Sequence, residues 1–378
     1  MEKLLRPSWV EIDLDAIKYN AENIKKLVGD CEPIAVMKAD AYGFGIPAVA
    51  KVLKSVGYKN FAVATLEEAI ELREVVRDDM ILVLGIIPDE NAEEIVRYDI
   101  TVMLSSYENA AAINEEAARS GKTVRAWIAL DTGMSRIGYC ATELDLLVSE
   151  VSRLQTLSNI ELFGLHSHFA TSDEADKSFS YLQLDRFNKA YEALAAAGIR
   201  IPNRAIANSA AIIDLPETLE FEMCRPGFIL YGVYPSDDVH KERLPLKSPM
   251  TVKTKVSYVK TIHEGDTVGY GRKFTAPGDV RLATLPIGFA DGLPRAYSPV
   301  GLALVNGSVV HIAGNVCMDQ CMIDVSGVEG VEVGTEVILM GTDGKNTITP
   351  EYIAESISGM AVDELTHGFS QRMPRIYV

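Results

Sequence analysis

The chain has 378 residues, of which 48% are hydrophobic and 24% charged, and its formal net charge is −17 at pH 7. This length allows two domains with a sizeable core, and the apolar fraction is ordinary for a soluble globular protein. The excess of acidic side chains argues against the broad basic surface that nucleic acids and anionic membranes require. No nucleic-acid or membrane partner is therefore expected.

The five cysteines are scattered, odd in number and without metal-ligand spacing. Reduced thiols in a cytoplasmic protein are the simplest interpretation, and no metal site is predicted. Residues 1–7 contain no apolar segment of a secretory signal, and no uncharged apolar run reaches membrane-spanning length. A cytoplasmic location is therefore expected.

Strands and helices alternate along the first part of the chain. Apolar runs predict a short strand over residues 9–14 and eight more at 33–38, 60–64, 80–85, 100–104, 124–130, 159–166, 203–207 and 220–225. Amphipathic segments predict helices at 15–28, 46–56, 65–76, 107–120, 142–154 and 178–197. Eight apolar strands separated by helices indicate parallel strands covered by helices, and their number favours a closed (β/α)8 barrel. An open, doubly wound sheet is the alternative.

The pattern changes near Pro245, where alternation and turn residues replace the helix-forming segments. Strands are predicted at 251–259, 280–286, 302–306, 308–313, 321–325 and 336–340, with one helix near 350–357. Asn306-Gly307 between two apolar runs predicts a hairpin. The expected fold is thus α/β: a TIM-like barrel domain over residues 1–244, then a mostly β domain over residues 245–378. The first strand, about residues 1–13, can join the second domain.

Residues 34–45, IAVMKADAYGFG, end an apolar run with Lys38 and continue with Tyr42 among small residues and glycines. Desolvation at a strand end favours the neutral, nucleophilic amine that Schiff-base chemistry needs. Taken alone, a lysine at a strand end is more often simply solvated. The glycines argue for a ligand here, because they let the backbone approach one closely.

Further polar residues follow predicted strands at the end where a barrel carries its active site. They are Arg136, His166, His168, Asn208, Ser209 and Arg225, with Gly227 and Phe228 after the last strand. Each alone is as readily structural: Ser209 as a helix N-cap, His168 as a hydrogen-bonded histidine, Arg225 as a solvated turn residue. Their shared position predicts an active site in which a serine hydroxyl and backbone N–H groups bind an anion.

The second domain contributes two unusual loops. Tyr270 lies between Gly269 and Gly271, and such open backbone suits a reactive phenol at the edge of a site better than a core tyrosine. A tyrosine that acts as a base needs positive charge nearby. In the loop over residues 314–320, GNVCMDQ, Cys317 has no visible base, so a packing role is predicted for it.

The Lys38 segment resembles the cofactor-lysine motif of alanine racemases, fold-type III enzymes that use pyridoxal 5′-phosphate (PLP). The similarity extends from residues 9–12, WVEI, to residues 372–375, RMPR. It implies that Lys38 binds the cofactor covalently and is one of two catalytic bases, with Tyr270 as the second, on the opposite face of the substrate. It also implies that the cofactor is contacted by Tyr42, His168, Asn208, Ser209, Arg225, Gly227 and Phe228.

The same resemblance implies that Arg136 and Met318 contact the substrate, and that the chain forms a head-to-tail homodimer. In that dimer Tyr270 and the Met318 loop complete the partner's active site. The expected activity is interconversion of L- and D-alanine, which supplies D-alanine for cell-wall peptidoglycan.

Four positions depart from the family pattern. Ala129 stands where many members have a lysine that can be carbamylated, so a chloride ion or a water molecule can take its place, and Asn315 replaces a common arginine. Phe289 and Asp363 each stand where a tyrosine is usual, the second of which narrows the substrate pocket. A serine or broader-specificity racemase therefore stays an alternative. A PLP-binding homeostasis protein, the alternative from a different class, would resemble only the first domain.

Overall fold

The computed structural model describes residues 4–298 and 300–378, which divide into two compact units. The barrel unit consists of residues 16–41 and 46–247. The C-terminal unit combines residues 248–378 with the segment 42–45 and with the residues up to Asp15, which include strand β1 (Ser8–Ile12). In the part of the chain that is described, no helix has both the length and the apolar character needed to cross a membrane.

The barrel unit is built on short parallel strands. These are β2 (Glu32–Val36), β3 (Asn60–Val63), β4 (Met80–Val83), β5 (Val102–Leu104), β6 (Val124–Asp131), β7 (Tyr139–Cys140), β8 (Ile160–His166), β9 (Asn203–Ala205) and β10 (Met223–Cys224). They pair in the orders β10-β2-β3-β4 and β5-β6-β8-β9, with the short β7 beside β6. A parallel bridge between Leu82 and Thr101 connects the two groups on one side.

On the other side, the Arg225 N–H donates to the Ala207 carbonyl at 2.9 Å, just beyond the ends of β9 and β10. Eight strands thus form a ring, and the predicted fold class is confirmed.

Helices alternate with these strands because each carries an apolar stripe that the sheet can bury. They are α1 (Leu14–Val28), α2 (Ile46–Ser55), α3 (Leu66–Arg73), α4 (Ala92–Arg97), α5 (Tyr107–Arg119), α6 (Leu144–Leu154), α7 (Ser178–Ala196) and α8 (Ser209–Asp214). Strand residues such as Ile34, Phe61 and Trp127 are fully buried, as expected for parallel strands covered by helices. The barrel therefore has a packed interior that holds its strand ends in place.

The C-terminal unit is mostly β. Its further strands are β11 (Met250–Lys255), β12 (Tyr258–Ile262), β13 (Thr267–Val268), β14 (Phe274–Thr275), β15 (Val280–Leu285), β16 (Leu302–Val305), β17 (Ser308–His311), β18 (Cys321–Asp324), β19 (Glu336–Thr342), β20 (Thr347–Ile348) and β21 (Arg375–Tyr377). The largest sheet has the order β17-β16-β19-β11-β1-β21, and β12, β15 and β18 form a second sheet. Two helices, α9 (Pro350–Glu355) and α10 (Val362–Gly368), complete the unit.

Three local predictions can be compared with these elements. The hairpin at Asn306-Gly307 is confirmed, since both residues have positive φ (47° and 73°) between β16 and β17. The single strand at 251–259 is wrong: β11 pairs with β19, whereas β12 pairs with β15. Helix α10 was not predicted, because its few apolar residues give no helical period.

Candidate active site

Lys38 lies two residues after the end of β2 and opens an unusual left-handed turn. The next four residues, Ala39 to Tyr42, have φ between 53° and 57°, and none is glycine. This conformation costs about 1–2 kcal/mol per residue, so the surrounding structure must impose it. The Ala39 N–H donates to Glu68 Oε1 at 2.5 Å, and Asp40 Oδ1 accepts the Ile46 N–H at 2.9 Å. These bonds fix the backbone beside the half-buried lysine.

Arg225 and His168, both predicted to lie at the active-site end of the barrel, are in direct contact. The Arg225 side chain, with 4% of the residue exposed, places Nη1 and Nη2 at 3.1 and 3.2 Å from His168 Nδ1. Nη2 also donates to the carbonyls of Ser167 at 2.7 Å and Ile206 at 3.1 Å. Because a guanidinium can only donate, His168 Nδ1 accepts and the ring proton lies on Nε2.

Burial and then the Arg225 charge lower the pKa of His168 well below its usual range, which keeps the ring neutral.

Ser209 is not the N-cap of α8. Asn208 has that position: its Oδ1 accepts the Ala211 N–H at 3.0 Å and the Ser172 hydroxyl at 2.9 Å. Ser209 Oγ instead accepts the N–H of Gly227 at 3.0 Å, directly before Phe228. The structure thus brings together Ser209, Gly227 and Phe228, a hydroxyl and consecutive backbone amides of the kind that bind an anion.

The loop after β6 carries Arg136. Asp131 Oδ1 accepts the N–H groups of Gly133 and Ser135, both at 2.9 Å, and so folds the loop back on itself. Arg136 is exposed, and together with His166 and His168 it lines a cavity of about 10 Å³. The structure therefore places Arg136 beside His168, as expected from their positions at the same end of the barrel.

A buried polar network that the sequence did not reveal supports these loops from α7. Gln183 is fully buried, and its Nε2 donates to Thr132 Oγ1 and to the His168 carbonyl, both at 3.0 Å. Its Oε1 accepts the Ala170 N–H at 2.9 Å. One side chain thus holds the ends of β6 and β8 together. A glutamine within a helical pattern gives no sequence signal of such a role.

The remaining predicted site residues belong to the C-terminal unit. Tyr270, Met318 and Phe289 are 72%, 55% and 41% exposed. Asp363 is half-buried on α10, and this helix packs against the segment 42–45: a Cβ on Gly43 would lie 2.7 Å from the Thr366 carbonyl oxygen. Tyr42, the residue before Gly43, is buried at 9% exposure. Asp363 is therefore on a helix that contacts the backbone next to Tyr42.

Comparison with known proteins gives the family. Residues 12–235 match the model of the alanine racemase N-terminal domain, and residues 249–377 match that of the C-terminal domain. Alanine racemase 1 of Clostridium acetobutylicum is 44% identical over 378 residues, which is all of this chain and 97% of that protein.

Solved structures agree with this assignment. The alanine racemase of Clostridium difficile 630 has a TM-score of 0.93 at 39% identity, covering 100% of this chain and 97% of that one. The histidine racemase of Leuconostoc mesenteroides subsp. sake has a TM-score of 0.90 at 31% identity, covering 100% and 99%. The chain therefore belongs to the alanine racemase family and is an isomerase that acts on amino acids.

Proposed function

We propose that this chain interconverts L- and D-alanine with PLP as cofactor and with Lys38 and Tyr270 as its two bases. The observation that carries the proposal is that the family match includes the C-terminal domain, which contributes Tyr270. A PLP-binding homeostasis protein with only a similar barrel would not need that domain.

The donor set of the barrel unit fits PLP. The Lys38 amine suits the cofactor aldehyde, and the Ser209 hydroxyl with the amides of Gly227 and Phe228 suits its phosphate. Arg225 would face the pyridine nitrogen. When bound, PLP supplies an electron sink for the charge that develops at the substrate α-carbon. Because a guanidinium does not give up its proton readily, Arg225 would leave that nitrogen unprotonated and so would disfavour side reactions that need a stronger electron sink.

Side chains of the protein then transfer the proton at the substrate α-carbon. Lys38 Nζ removes the α-proton of one enantiomer while Tyr270 Oη delivers a proton to the opposite face, and the roles reverse for the other enantiomer. Arg136 binds the substrate carboxylate through its guanidinium donors. His168 stays neutral with its proton on Nε2, so it adds no charge beside the cofactor ring.

The proposal includes a homodimer in which Tyr270 and Met318 act in the partner's site. Both side chains are exposed in the single chain, as side chains that complete a partner's site must be. It also includes a cytoplasmic location and a supply of D-alanine for peptidoglycan. The location is supported by the five cysteines, all of which are unpaired thiols within the described residues.

The test is to purify the chain with PLP and follow L-alanine, D-alanine and L-serine by chiral separation. We expect alanine racemisation in both directions, no detectable turnover by Lys38→Ala, and loss of racemisation in Tyr270→Phe. If serine is turned over as fast as alanine, the chain is instead a serine or broader-specificity amino-acid racemase. Cofactor binding without any racemisation would refute the function and favour the homeostasis protein.

A further inference from the structure

The turn that carries Tyr270 has few hydrogen bonds of its own to fix its conformation. It connects the two-residue strands β13 and β14, and Gly269, Gly271 and Arg272 all have positive φ (66°, 74° and 51°). Within the turn, the Arg272 N–H donates to the Gly269 carbonyl at a long 3.3 Å. With the tyrosine itself 72% exposed, such a segment lies at the low-stability end of a fold unless another element fixes it.

Asn315 is that element. Its Nδ2 donates to the carbonyl oxygen of Tyr270 at 2.7 Å. A Cβ on Gly271 would lie 3.5 Å from Asn315 Nδ2, and a Cβ on Gly269 would lie 3.5 Å from the Asn315 carbonyl oxygen. The asparagine thus packs against both glycines that flank the tyrosine.

Asn315 is itself held in place. A Cβ on Gly314 would lie 2.6 Å from the Val268 carbonyl oxygen, so the two backbones touch at the start of the Tyr270 turn. On the other side, the Val316 N–H donates to Ser298 Oγ at 2.9 Å. Asn315 therefore connects the backbone of Tyr270 to a loop that is itself held in place. This loop is the one that carries Met318.

We propose that Asn315 is a positioning residue for Tyr270. By binding the Tyr270 carbonyl it restricts the turn to one conformation, so that the phenol is presented in one direction. The inference rests on the proposed role of Tyr270 as the second base. The side-chain hydrogen bond of Asn315 goes to the main chain of Tyr270, so its loss is expected to act first on the conformation of Tyr270.

The test compares Asn315→Ala and Asn315→Asp with Asn346→Ala, all as holoenzymes. Asn346 is a matched control, since its Nδ2 donates to the Gly307 carbonyl at 3.1 Å in another turn of the same unit. Because small misplacement of a catalytic group is costly, we expect racemisation to fall by about tenfold to a hundredfold in the Asn315 variants. The control should stay within about twofold.

A second readout separates positioning from general damage. In D2O, Lys38 alone can exchange the α-proton of one enantiomer with retention; that enantiomer is identified with Tyr270→Phe. The Asn315 variants should keep this exchange within about twofold while racemisation falls. In the Tyr270→Phe background, which retains the carbonyl, Asn315→Ala should leave the retentive exchange within about twofold. Hydrogen–deuterium exchange over residues 268–275 should become faster in Asn315→Ala and stay unchanged in Asn346→Ala.

The outcomes are distinguishable. If Tyr270→Phe racemises as fast as the unmodified enzyme, the proposed function of Tyr270 fails. If Tyr270→Phe is impaired but Asn315→Ala behaves like Asn346→Ala, the positioning role is overturned. An equal fall of racemisation and retentive exchange also overturns it, as does a fall of retentive exchange when Asn315→Ala is added to Tyr270→Phe, because the effect would then not pass through Tyr270.

Discussion

At the scale of single residues, His166 is a buried titratable side chain to which the proposed mechanism gives no role. It is buried at 5% exposure at the end of β8, and within the described structure its Nε2 has no hydrogen-bond partner. Burial and then the positive charge of Arg225 lower the pKa of His166 well below its usual range. The histidine is therefore neutral in the folded chain and must take up a proton when the chain unfolds in mild acid.

This gives a pH dependence with a defined sign. Below the unfolded pKa of about 6.5, the unfolded state binds more protons than the folded state, so stability falls as the pH falls. His166→Leu should make this fall less steep by up to about 1.4 kcal/mol per pH unit; His168 retains its own share. Urea unfolding at about pH 7.5, 6.5 and 5.5 measures the slope. The exposed His311→Gln is the control, and parallel curves for His166→Leu and the unmodified chain would contradict the prediction.

Asp363 bears on substrate choice at the same scale. The family resemblance implies a tyrosine at this position, and a smaller carboxylate there is expected to leave room beyond the methyl group of alanine. Asp363→Tyr should lower kcat/KM for serine relative to alanine by about tenfold, the usual effect of filling a small pocket. Glu364→Tyr, on the exposed neighbour in α10, should leave the ratio unchanged. An equal ratio in both variants would remove Asp363 from the specificity argument.

At the scale of elements, helix α7 stabilises loops that it does not belong to. Gln183→Met keeps the size of the side chain but leaves the Ala170 N–H and the His168 carbonyl without their partner, and each such group costs about 1–3 kcal/mol. We expect a loss of about 2–4 kcal/mol in the free energy of unfolding. Ser180→Ala, on the same helix, is the control: the Ser180 hydroxyl is buried without a partner in the described residues. Equal midpoints for both variants in urea would contradict this role.

Elements also show what the sequence could and could not predict. The barrel strands were found because parallel strands buried on both faces give continuous apolar runs. The positions of Lys38, Arg136, His168 and Arg225 after strands were predictable because they follow such runs. Ser209 and Gly227 were expected to bind the same anion, but their direct hydrogen bond was not predicted, since it depends on which of two neighbouring residues caps α8. The roles of Gln183 and Asn315 are carried by single side-chain amides bound to carbonyls distant in sequence, and such pairs leave no periodic signal.

At the scale of the whole molecule, the proposed dimer makes a quantitative prediction. If each site takes Lys38 from one subunit and Tyr270 from the other, a mixed dimer of Lys38→Ala and Tyr270→Phe chains has one intact site and one without either base. Refolding the two inactive variants together in equal amounts should restore about a quarter of the normal racemisation rate, since half of the dimers are mixed. Each variant refolded alone is the control. No recovery, with dimers present by sedimentation, would contradict sharing of the site between subunits.

The pairing of β1 with β11 also sets an order of events during synthesis. Ser8 and Thr254, whose hydroxyls lie 2.7 Å apart, are separated by 246 residues along the chain. A ribosome that adds about 5–20 residues per second needs on the order of ten to fifty seconds to make the second strand after the first. Throughout that interval β1 has emerged without its neighbours, and the segment 42–45 likewise awaits the helix α10 that packs on it. The barrel can close during translation, but the C-terminal unit is completed only when the last strand leaves the ribosome.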